Sequence, residues 1–212
     1  PGVTTASDLC WAYWQEVNNL GLEVSFQPYF TIVRPGVGRF PKNEVIQNGD
    51  FIVNDVGLKY LRLNTDHQQW AYVLKPNEDN VPDKYNILFS EAQKLQNIFM
   101  SEFEKGLSGN ALLNNILNRA KKEGVPNPRV YSHSLGLFLH EPGPLIGLPW
   151  EQKNTEGRGE VILDYNTAYT METSIEMEVL GNKILFNTEE DVVFTEEGCN
   201  LQASAQNEFL LI

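Results

Sequence analysis

Two adjoining segments, each carrying an aspartate, constrain the fold of this chain most strongly. The stretch FIVNDVGLKYLRLNTDHQQWAYVL alternates like two β-strands, with Asp55 in the first and Asp66 at the start of the second. Their separation of eleven residues lets a strand end, turn and return, which sets Asp66 beside Asp55 on a neighbouring strand. Two ionised carboxylates this close repel each other, so the pair indicates a shared proton or a cation between them. We favour the cation.

Three further residues are candidates to complete a metal site. His133 lies in a Gly/Leu-rich turn, and Glu172 and Glu190 lie on separate β-like segments. Hard divalent ions favour oxygen ligands, and manganese, zinc, iron and cobalt also accept one imidazole. Four carboxylates and one histidine therefore suit a two-metal hydrolytic centre. The alternative for any single member is a solvated surface group, since the chain has 28 acidic residues.

Five segments resemble a known family over nearly the whole chain: IQNGDFIVNDVG, NTDHQQWAYVL, SHSLGLFLHEPGP, NTAYTME and TEEDVVFTEEG. They are similar to the metal-binding segments of the pita-bread metallopeptidases, which include methionine aminopeptidase, Xaa-Pro aminopeptidase and prolidase. The likeness is greatest to the catalytic domains of Xaa-Pro aminopeptidases. It implies an α+β pita-bread fold, in which a curved antiparallel sheet has helices on its outer face.

The resemblance also implies a role for each candidate ligand. Asp55 resembles a ligand of one metal, and His133 and Glu172 resemble ligands of the other. Asp66 and Glu190 resemble the two bridging ligands. The implied cofactors are two divalent ions, with manganese as the first choice and zinc, cobalt or iron as alternatives.

His140 is the second catalytic residue that the resemblance implies. It follows His133 by seven residues, which is the interval of a substrate-facing histidine in the family. By this likeness His140 stabilises the oxyanion, while Glu172 moves a proton from a metal-bridging water to the leaving amine. The implied reaction is removal of the N-terminal residue of a peptide by a metal-bridging hydroxide, with Xaa-Pro bonds as candidate substrates. From sequence alone, His140 fits equally well as a half-buried residue bonded to a backbone carbonyl.

The chain departs from the family pattern at three positions. Family members usually carry a histidine about eleven residues before the Gly-Asp that enters the first metal strand, and PGVGRFPKNEVIQNGD contains none. Thr188 stands where many members have an arginine, two residues before Glu190, and Arg129 stands where some have a histidine. Two alternatives therefore stay open: a metal-binding or peptide-binding module with little or no hydrolysis, and an Xaa-Pro dipeptidase.

Composition limits the classes of partner. The chain has 212 residues and no apolar run near the ~20 residues that span a bilayer, so we expect one catalytic domain over 1–212 and no membrane partner. A net charge of −12 disfavours nucleic acid. We expect a peptide substrate and leave a homodimer open. The resemblance implies that a first helix and any N-terminal domain lie upstream, together with any targeting signal, so the compartment is not predicted.

Local patterns predict three helices and a strand-rich final third. A helix from Thr5 to Leu20 begins with the capping pair Thr5 and Asp8. Apolar spacing predicts a helix from Leu88 to Gly106 and another from about Asn110 to Glu123. Four strands are predicted over 161–164, 168–180, 183–187 and 191–194, and a loop over 34–44. His67, adjacent to Asp66, is expected outside the metal site, and Trp70, Tyr72 and Trp150 are expected to be core residues rather than pocket residues.

Overall fold

Three helices and thirteen strands form in residues 1–41 and 43–212, the part of the chain that this computed structural model describes. The helices are α1 (Ala6–Asn19), α2 (Asn86–Ser101) and α3 (Gly109–Lys122). The strands are β1 (Glu23–Val24), β2 (Tyr29–Arg34), β3 (Gly38–Pro41), β4 (Phe51–Val56), β5 (Leu58–Tyr60), β6 (Leu63–Asn64), β7 (His67–Tyr72), β8 (Arg129–Leu135), β9 (Leu145–Ile146), β10 (Thr167–Val179), β11 (Asn182–Thr195), β12 (Gly198–Leu201) and β13 (Leu210–Leu211).

The first helix begins where its sequence predicts. Thr5 and Asp8 form a reciprocal capping box: the Thr5 hydroxyl accepts from the Asp8 backbone N–H at 3.2 Å, and the Asp8 carboxylate accepts from the Thr5 N–H at 2.8 Å. Two backbone donors that have no partner within the helix are thereby satisfied. The buried side of α1 packs on β2, where Ala6 meets Ile32 in a small apolar cluster.

Helices α2 and α3 cover the larger core. The apolar stripe predicted for α2 is buried, with Leu88, Leu95 and Phe99 each 0% exposed. Leu112 and Ile116 of α3 pack in the same cluster. Both helices were predicted, but α2 ends at Ser101, five residues before the predicted end at Gly106.

One long curved sheet carries most of the strands. Its order is β3-β2-β4-β7-β11-β10-β8-β9, with β12 added to β11 and β13 added to β7. All of its pairings are antiparallel except that of β13 with β7. The two halves of the sheet meet at β7 and β11, which are paired at the single register position Gln68–Glu189. The α+β fold with a curved antiparallel sheet is therefore confirmed. No helix in the described residues combines the length and hydropathy needed to cross a bilayer.

A long hairpin of β10 and β11 dominates the second half. Its turn has Leu180 at φ 53° and Gly181 at φ 75°, and two positive φ values are what a tight hairpin turn requires. The predicted strand 168–180 is confirmed. The predicted strands 183–187 and 191–194 are one strand, because the polar residues between them also pair with β10.

Two local predictions were wrong. Residues 161–164 form no strand: Ile162 makes only an isolated bridge to Ser108, directly after a 3-10 helix over Gly157–Glu160. The predicted loop 34–44 contains β3, which pairs with β2; Lys42 in this loop lies outside the described residues.

The alternation of β10 separates the core from the candidate site. Tyr169, Met171 and Ile175 are buried in the cluster that α2 and α3 cover, whereas Glu172 and Ser174 point to the opposite face. Trp70 and Tyr72 are core residues as predicted, and Trp150 is 76% exposed. The sheet therefore presents its polar residues on the face away from α2 and α3.

Candidate metal centre

Asp55 and Asp66 meet as their spacing predicts. Asp55 pairs with Gln68 across β4 and β7, and Asp66 directly precedes β7. One carboxylate oxygen of each lies within 4.8 Å of the other and of a Glu189 oxygen. Three acidic side chains from both halves of the sheet therefore converge at the junction between the halves.

The structure brings Glu189, not Glu190, to this cluster. Glu189 lies opposite Glu172 in the β10–β11 pairing, and successive residues of a strand point to opposite faces. The Glu190 carboxylate accepts from the Gln206 backbone N–H at 3.0 Å and lies 3.4 Å from His67 Nδ1, away from Glu172. The sequence-based choice of Glu190 was therefore one residue out, and Glu189 replaces it as the candidate ligand.

A signal for this choice was present in the sequence. Val192 and Phe194 are apolar, and both are buried in the core. Counting back from them in steps of two assigns Glu190 to the core face and Glu189 to the opposite face. The two adjacent glutamates obscured this pattern, because a slip of one residue exchanges the two faces.

His133 faces the carboxylates with a free ring nitrogen. Its Nε2 lies 3.6 Å from Glu172 Oε1 and 3.9 Å from Asp66 Oδ2. Its Nδ1 lies 3.1 Å from the Ser134 carbonyl oxygen, and a carbonyl only accepts, so Nδ1 carries the proton. Burial lowers the pKa of His133 to about 4. The ring is therefore neutral at pH 7, and its Nε2 lone pair is available to a cation.

His140 lies beside His133, as the seven-residue interval implies. The two ring centroids are 4.3 Å apart. The loop after β8 is anchored by Arg158, which donates to the carbonyl oxygens of Glu141 at 2.7 Å and Gly143 at 3.2 Å. Partial burial of the His140 ring, together with the charge of Arg158, lowers the pKa of His140. His140 is exposed at the edge of the cavity and is neutral at pH 7.

The clustered carboxylates repel one another strongly. Burial raises the pKa of Asp55 to about 6, and burial with the charges of Asp55 and Asp191 raises the pKa of Asp66 to about 8. Burial and the charges of Asp66 and Asp55 raise the pKa of Glu172 and Glu189 well above the usual range. Without a cation, several of these groups hold protons at neutral pH.

The residues present fit a divalent metal ion. Asp66 Oδ1, Glu189 Oε1 and His133 Nε2 are buried and have no hydrogen-bond partner among the described residues. Buried polar atoms are normally satisfied, so three that line one cavity of about 300 Å³ call for a shared partner. Carboxylate oxygens and a neutral imidazole nitrogen are ligands that first-row divalent metals accept.

Two polar residues that the sequence did not single out support the ligands. Gln68 Nε2 donates to Glu189 Oε2 at 2.6 Å and lies 3.3 Å from Asp55 Oδ2. The Asn187 amide donates to the Gln68 carbonyl oxygen, which fixes the direction of the Gln68 amide. With Glu189 as the ligand, Asn187 is the residue two positions before it. Nothing in the sequence distinguishes these amides from other polar strand residues.

His67 lies outside the cluster, as expected, and has a different set of partners. Its ring nitrogens are 3.4 Å from Glu190 and 3.3 Å from Asp191. Burial lowers the pKa of His67, but the hydrogen bonds to Asp191 and Glu190 outweigh it and raise the pKa to about 10. Asp191 also accepts from the Asp66 backbone N–H at 3.2 Å. This ion pair therefore supports the backbone that carries Asp66.

A family model for metallopeptidase family M24 matches residues 1–196. The chain belongs to this family. M24 enzymes are metal-dependent peptidases, and the carboxylate cluster agrees with that membership. The family resemblance of the sequence segments and the pita-bread fold are thereby confirmed.

Solved M24 structures have the same fold at low sequence identity. An X-Pro aminopeptidase from Thermotoga maritima MSB8 matches with a TM-score of 0.74 and 22% identity over 100% of this chain and 56% of that chain. An Xaa-Pro dipeptidase from Bacillus anthracis matches with a TM-score of 0.70 and 19% identity over 100% and 56%. A methionine aminopeptidase from Rickettsia prowazekii matches with a TM-score of 0.65 and 16% identity over 93% and 85%. The chain spans slightly more than half the length of the first two, and no curated protein sequence matches it.

Proposed function

We propose that this chain is a dinuclear metal-dependent aminopeptidase that hydrolyses the N-terminal residue from peptides, including Xaa-Pro peptides. The observation that carries the proposal is the set of three buried, unpartnered atoms, Asp66 Oδ1, Glu189 Oε1 and His133 Nε2, at one cavity. The Xaa-Pro preference rests on the names of related structures, an X-Pro aminopeptidase and an Xaa-Pro dipeptidase.

The arrangement of donors supports two ions rather than one. Asp55 lies on the side of the N-terminal half of the sheet, and His133 with Glu172 lies on the other side. Asp66 and Glu189 lie between these groups: Asp66 is within 4.8 Å of Asp55 and 3.9 Å from His133 Nε2. We propose Asp66 and Glu189 as the shared ligands and manganese as the first ion to test, with zinc, cobalt and iron as alternatives.

Bound divalent ions supply Lewis acidity and an activated water for peptide hydrolysis. Glu172 would accept a proton from the attacking water at its carboxylate and pass it to the leaving amine, a role that its position on the wall of the cavity allows. His140 is neutral and donates a ring N–H to the developing oxyanion. Phe26 and Leu139 form apolar walls of the cavity and exclude water from the reacting bond.

The choice of an aminopeptidase rests on the names of related structures, an X-Pro aminopeptidase and a methionine aminopeptidase. Four carboxylates, those of Asp55, Asp66, Glu172 and Glu189, would balance the charge of two divalent ions and keep the metal-loaded site close to neutral.

Metal-loaded protein assayed on a peptide panel tests the proposal. The chain is stripped with a chelator, reloaded with Mn²⁺, Zn²⁺, Co²⁺ or Fe²⁺, and given tripeptides with and without proline at the second position. We expect metal-dependent release of the first residue, loss of that release in Asp66→Asn, and full retention in Asp164→Asn. Asp164 is an exposed aspartate paired with Lys105, so the second variant removes a carboxylate outside the site.

One observation keeps a second candidate function in view. The Asn187 amide stands two residues before Glu189, where many family members have an arginine, and it bonds to Gln68 beside the ligands, so a module that binds metal or peptide without efficient hydrolysis is the alternative. Full metal occupancy with no turnover on the whole panel would favour this alternative. An Xaa-Pro dipeptidase is separated from an aminopeptidase by comparing Ala-Pro with Ala-Pro-Ala in the same assay.

A further inference from the structure

A second cavity adjoins the metal centre on the polar face of the sheet. It has a volume of about 240 Å³ and shares two wall residues, Tyr131 and Glu172, with the cavity of the metal centre. Its other walls include Arg39, Arg129 and Asn187. A peptide that reacts at the first cavity can therefore extend into the second without crossing the sheet.

Arg129 lies in a row of paired residues across the strands, and the Arg39 side chain reaches this row from β3. Arg129 of β8 pairs with Ser174 of β10, which in turn pairs with Asn187 of β11. Arg39 of β3 donates to the Asn187 side-chain oxygen at 2.6 Å and to the Leu185 carbonyl oxygen at 3.0 Å. The row is therefore held together by strand pairing and by the anchored Arg39 side chain.

This row lies a fixed distance from the candidate ligands. Tyr131, Glu172 and Glu189 form the neighbouring row, two residues along the same strands. A strand rises about 3.3 Å per residue, so the rows are about 7 Å apart. That distance is about two residues of an extended peptide.

Neither arginine is paired with an acidic side chain within the described part of the chain. Arg39 has neutral partners there: the Asn187 and Leu185 oxygens, and the Trp70 ring, whose centroid is 5.8 Å from the guanidinium carbon. Neither Arg39 nor Arg129 has a carboxylate within 4.0 Å there, although the protein carries a net charge of −12. Both side chains are exposed toward solvent. A guanidinium presents a fork of N–H donors that matches a carboxylate, and such charge-assisted bonds are stronger than neutral ones.

We infer that this second cavity is a subsite for a carboxylate group of the peptide substrate, held by Arg39 and Arg129 about 7 Å from the metal centre. The inference rests on the proposed peptidase function and adds a substrate class to it: short peptides with a free C-terminus, or peptides with an acidic residue near the scissile bond. In both kinds of peptide the bound group is a carboxylate, either that of the C-terminus or that of an acidic side chain.

Two matched peptide pairs distinguish the sources. Ala-Pro-Ala with a free C-terminus is compared with its C-terminal amide, and Ala-Pro-Glu amide is compared with Ala-Pro-Gln amide. For the Mn²⁺-loaded wild type we expect kcat/KM to favour the charged member of at least one pair by about tenfold. The pair that shows the preference identifies the source. Equal kcat/KM values within both pairs would overturn the inference while leaving the proposed function intact.

Arginine variants tie the preference to this cavity. We expect the double variant Arg39→Gln/Arg129→Gln to bring the preference close to unity and Arg39→Lys/Arg129→Lys to retain part of it. Lys122→Gln removes one exposed positive charge from the end of α3 and should leave the preference unchanged. If the double glutamine variant slows both members of a pair equally, the arginines have only a structural role and the inference is wrong.

A binding measurement separates this inference from the peptidase proposal. Calorimetric titration of Pro-Ala and Pro-Ala amide into the Mn²⁺-loaded protein needs no turnover. Arginine-dependent binding of the acid without cleavage of any peptide would refute the peptidase and retain the carboxylate subsite. Equal binding of acid and amide, together with no cleavage, would refute both.

Discussion

Glu189 lies directly opposite Glu172 across β10 and β11, while its neighbour Glu190 contacts His67 on the other side of the sheet. Two adjacent residues of the same type thus have unrelated surroundings. One faces four other candidate ligands, and the other forms an ion pair. This difference makes the two positions a matched pair for experiment.

Replacing each glutamate by glutamine should separate metal binding from stability. Glu189→Gln should lower the bound metal, measured by mass spectrometry after dialysis, and abolish peptide release. Glu190→Gln should keep the metal content but lower the free energy of unfolding by about 1–3 kcal/mol, because His67 loses a charged partner. Loss of metal from Glu190→Gln with retention in Glu189→Gln would reverse the assignment.

His140→Gln tests the oxyanion role without touching a candidate ligand. Because His140 lies beside His133 but is not itself within the carboxylate cluster, the variant should bind metal normally. Its kcat should fall by about 100- to 1000-fold, the usual cost of removing one oxyanion donor. Asp164→Asn, which changes an exposed carboxylate paired with Lys105, is the control, with little effect on kcat expected. An unchanged kcat in His140→Gln would exclude the role.

Gln68→Leu tests the support given to two ligands at once. The Gln68 amide bonds to Glu189 and lies close to Asp55, and residues that orient metal ligands typically contribute about 10- to 100-fold to metal affinity. We expect a loss of that size, measured by competition with a fluorescent chelator. Gln69 is the next residue on β7, exposed and pointing to the other face, so Gln69→Leu should leave metal affinity unchanged. Equal affinities in both variants would remove Gln68 from the metal centre.

The metal-free protein should lose stability as pH rises. The pKa values of Asp55 and Asp66 are raised from 3.8 to about 6 and about 8, so the folded protein binds more protons than the unfolded chain between these limits. The free energy of unfolding should therefore fall from about pH 4 to about pH 8, and the raised pKa of His67 should continue the decline to about pH 10. Urea denaturation at several pH values measures this decline.

The variant Asp66→Asn isolates that effect. In the metal-free protein it should be more stable than the wild type at pH 8, on the order of 2 kcal/mol, and no more stable at pH 4, where Asp66 is protonated in the folded protein. Because Asn and Asp side chains have nearly the same volume, this difference in stability would be due to the carboxylate charge. If the free energy of unfolding changed by the same amount between pH 4 and pH 8 in the wild type and in Asp66→Asn, the assignment of the raised pKa to Asp66 would be wrong.

Elements encoded by local patterns could be predicted from the sequence. The Thr5–Asp8 capping box identifies the start of α1, and the stripe through Leu88 and Phe99 identifies α2. The spacing of Asp55 and Asp66 predicts their meeting at the neighbouring strands β4 and β7, although β5 and β6 lie between these strands in place of a simple turn. In each case the interacting residues are close in the chain, so periodicity and spacing carry the information.

Features that depend on long-range strand pairing could not be predicted from local patterns. The strand β11 continues through Thr188, Glu189 and Glu190 because β10 pairs with these residues, although their polarity suggests a break. The alternation that starts from Val192 and Phe194 selects Glu189 over Glu190 only if the strand is continuous, and that continuity depends on pairing with β10. The contacts of Gln68 with Glu189 and of Arg39 with Asn187 join residues more than one hundred positions apart in the chain.

The single register position that joins the two halves of the sheet, Gln68 with Glu189, has a consequence for the protein as a polymer. Asp66 and Glu189 come from opposite sides of this seam, so a cation held by both would cross-link segments separated by most of the chain. Because this long loop is closed only in the native state, folding and metal uptake become one linked equilibrium. Backbone amides of β7 and β11 should then exchange with solvent more slowly once metal is added, and the greatest change should lie at the seam rather than in α2 or α3.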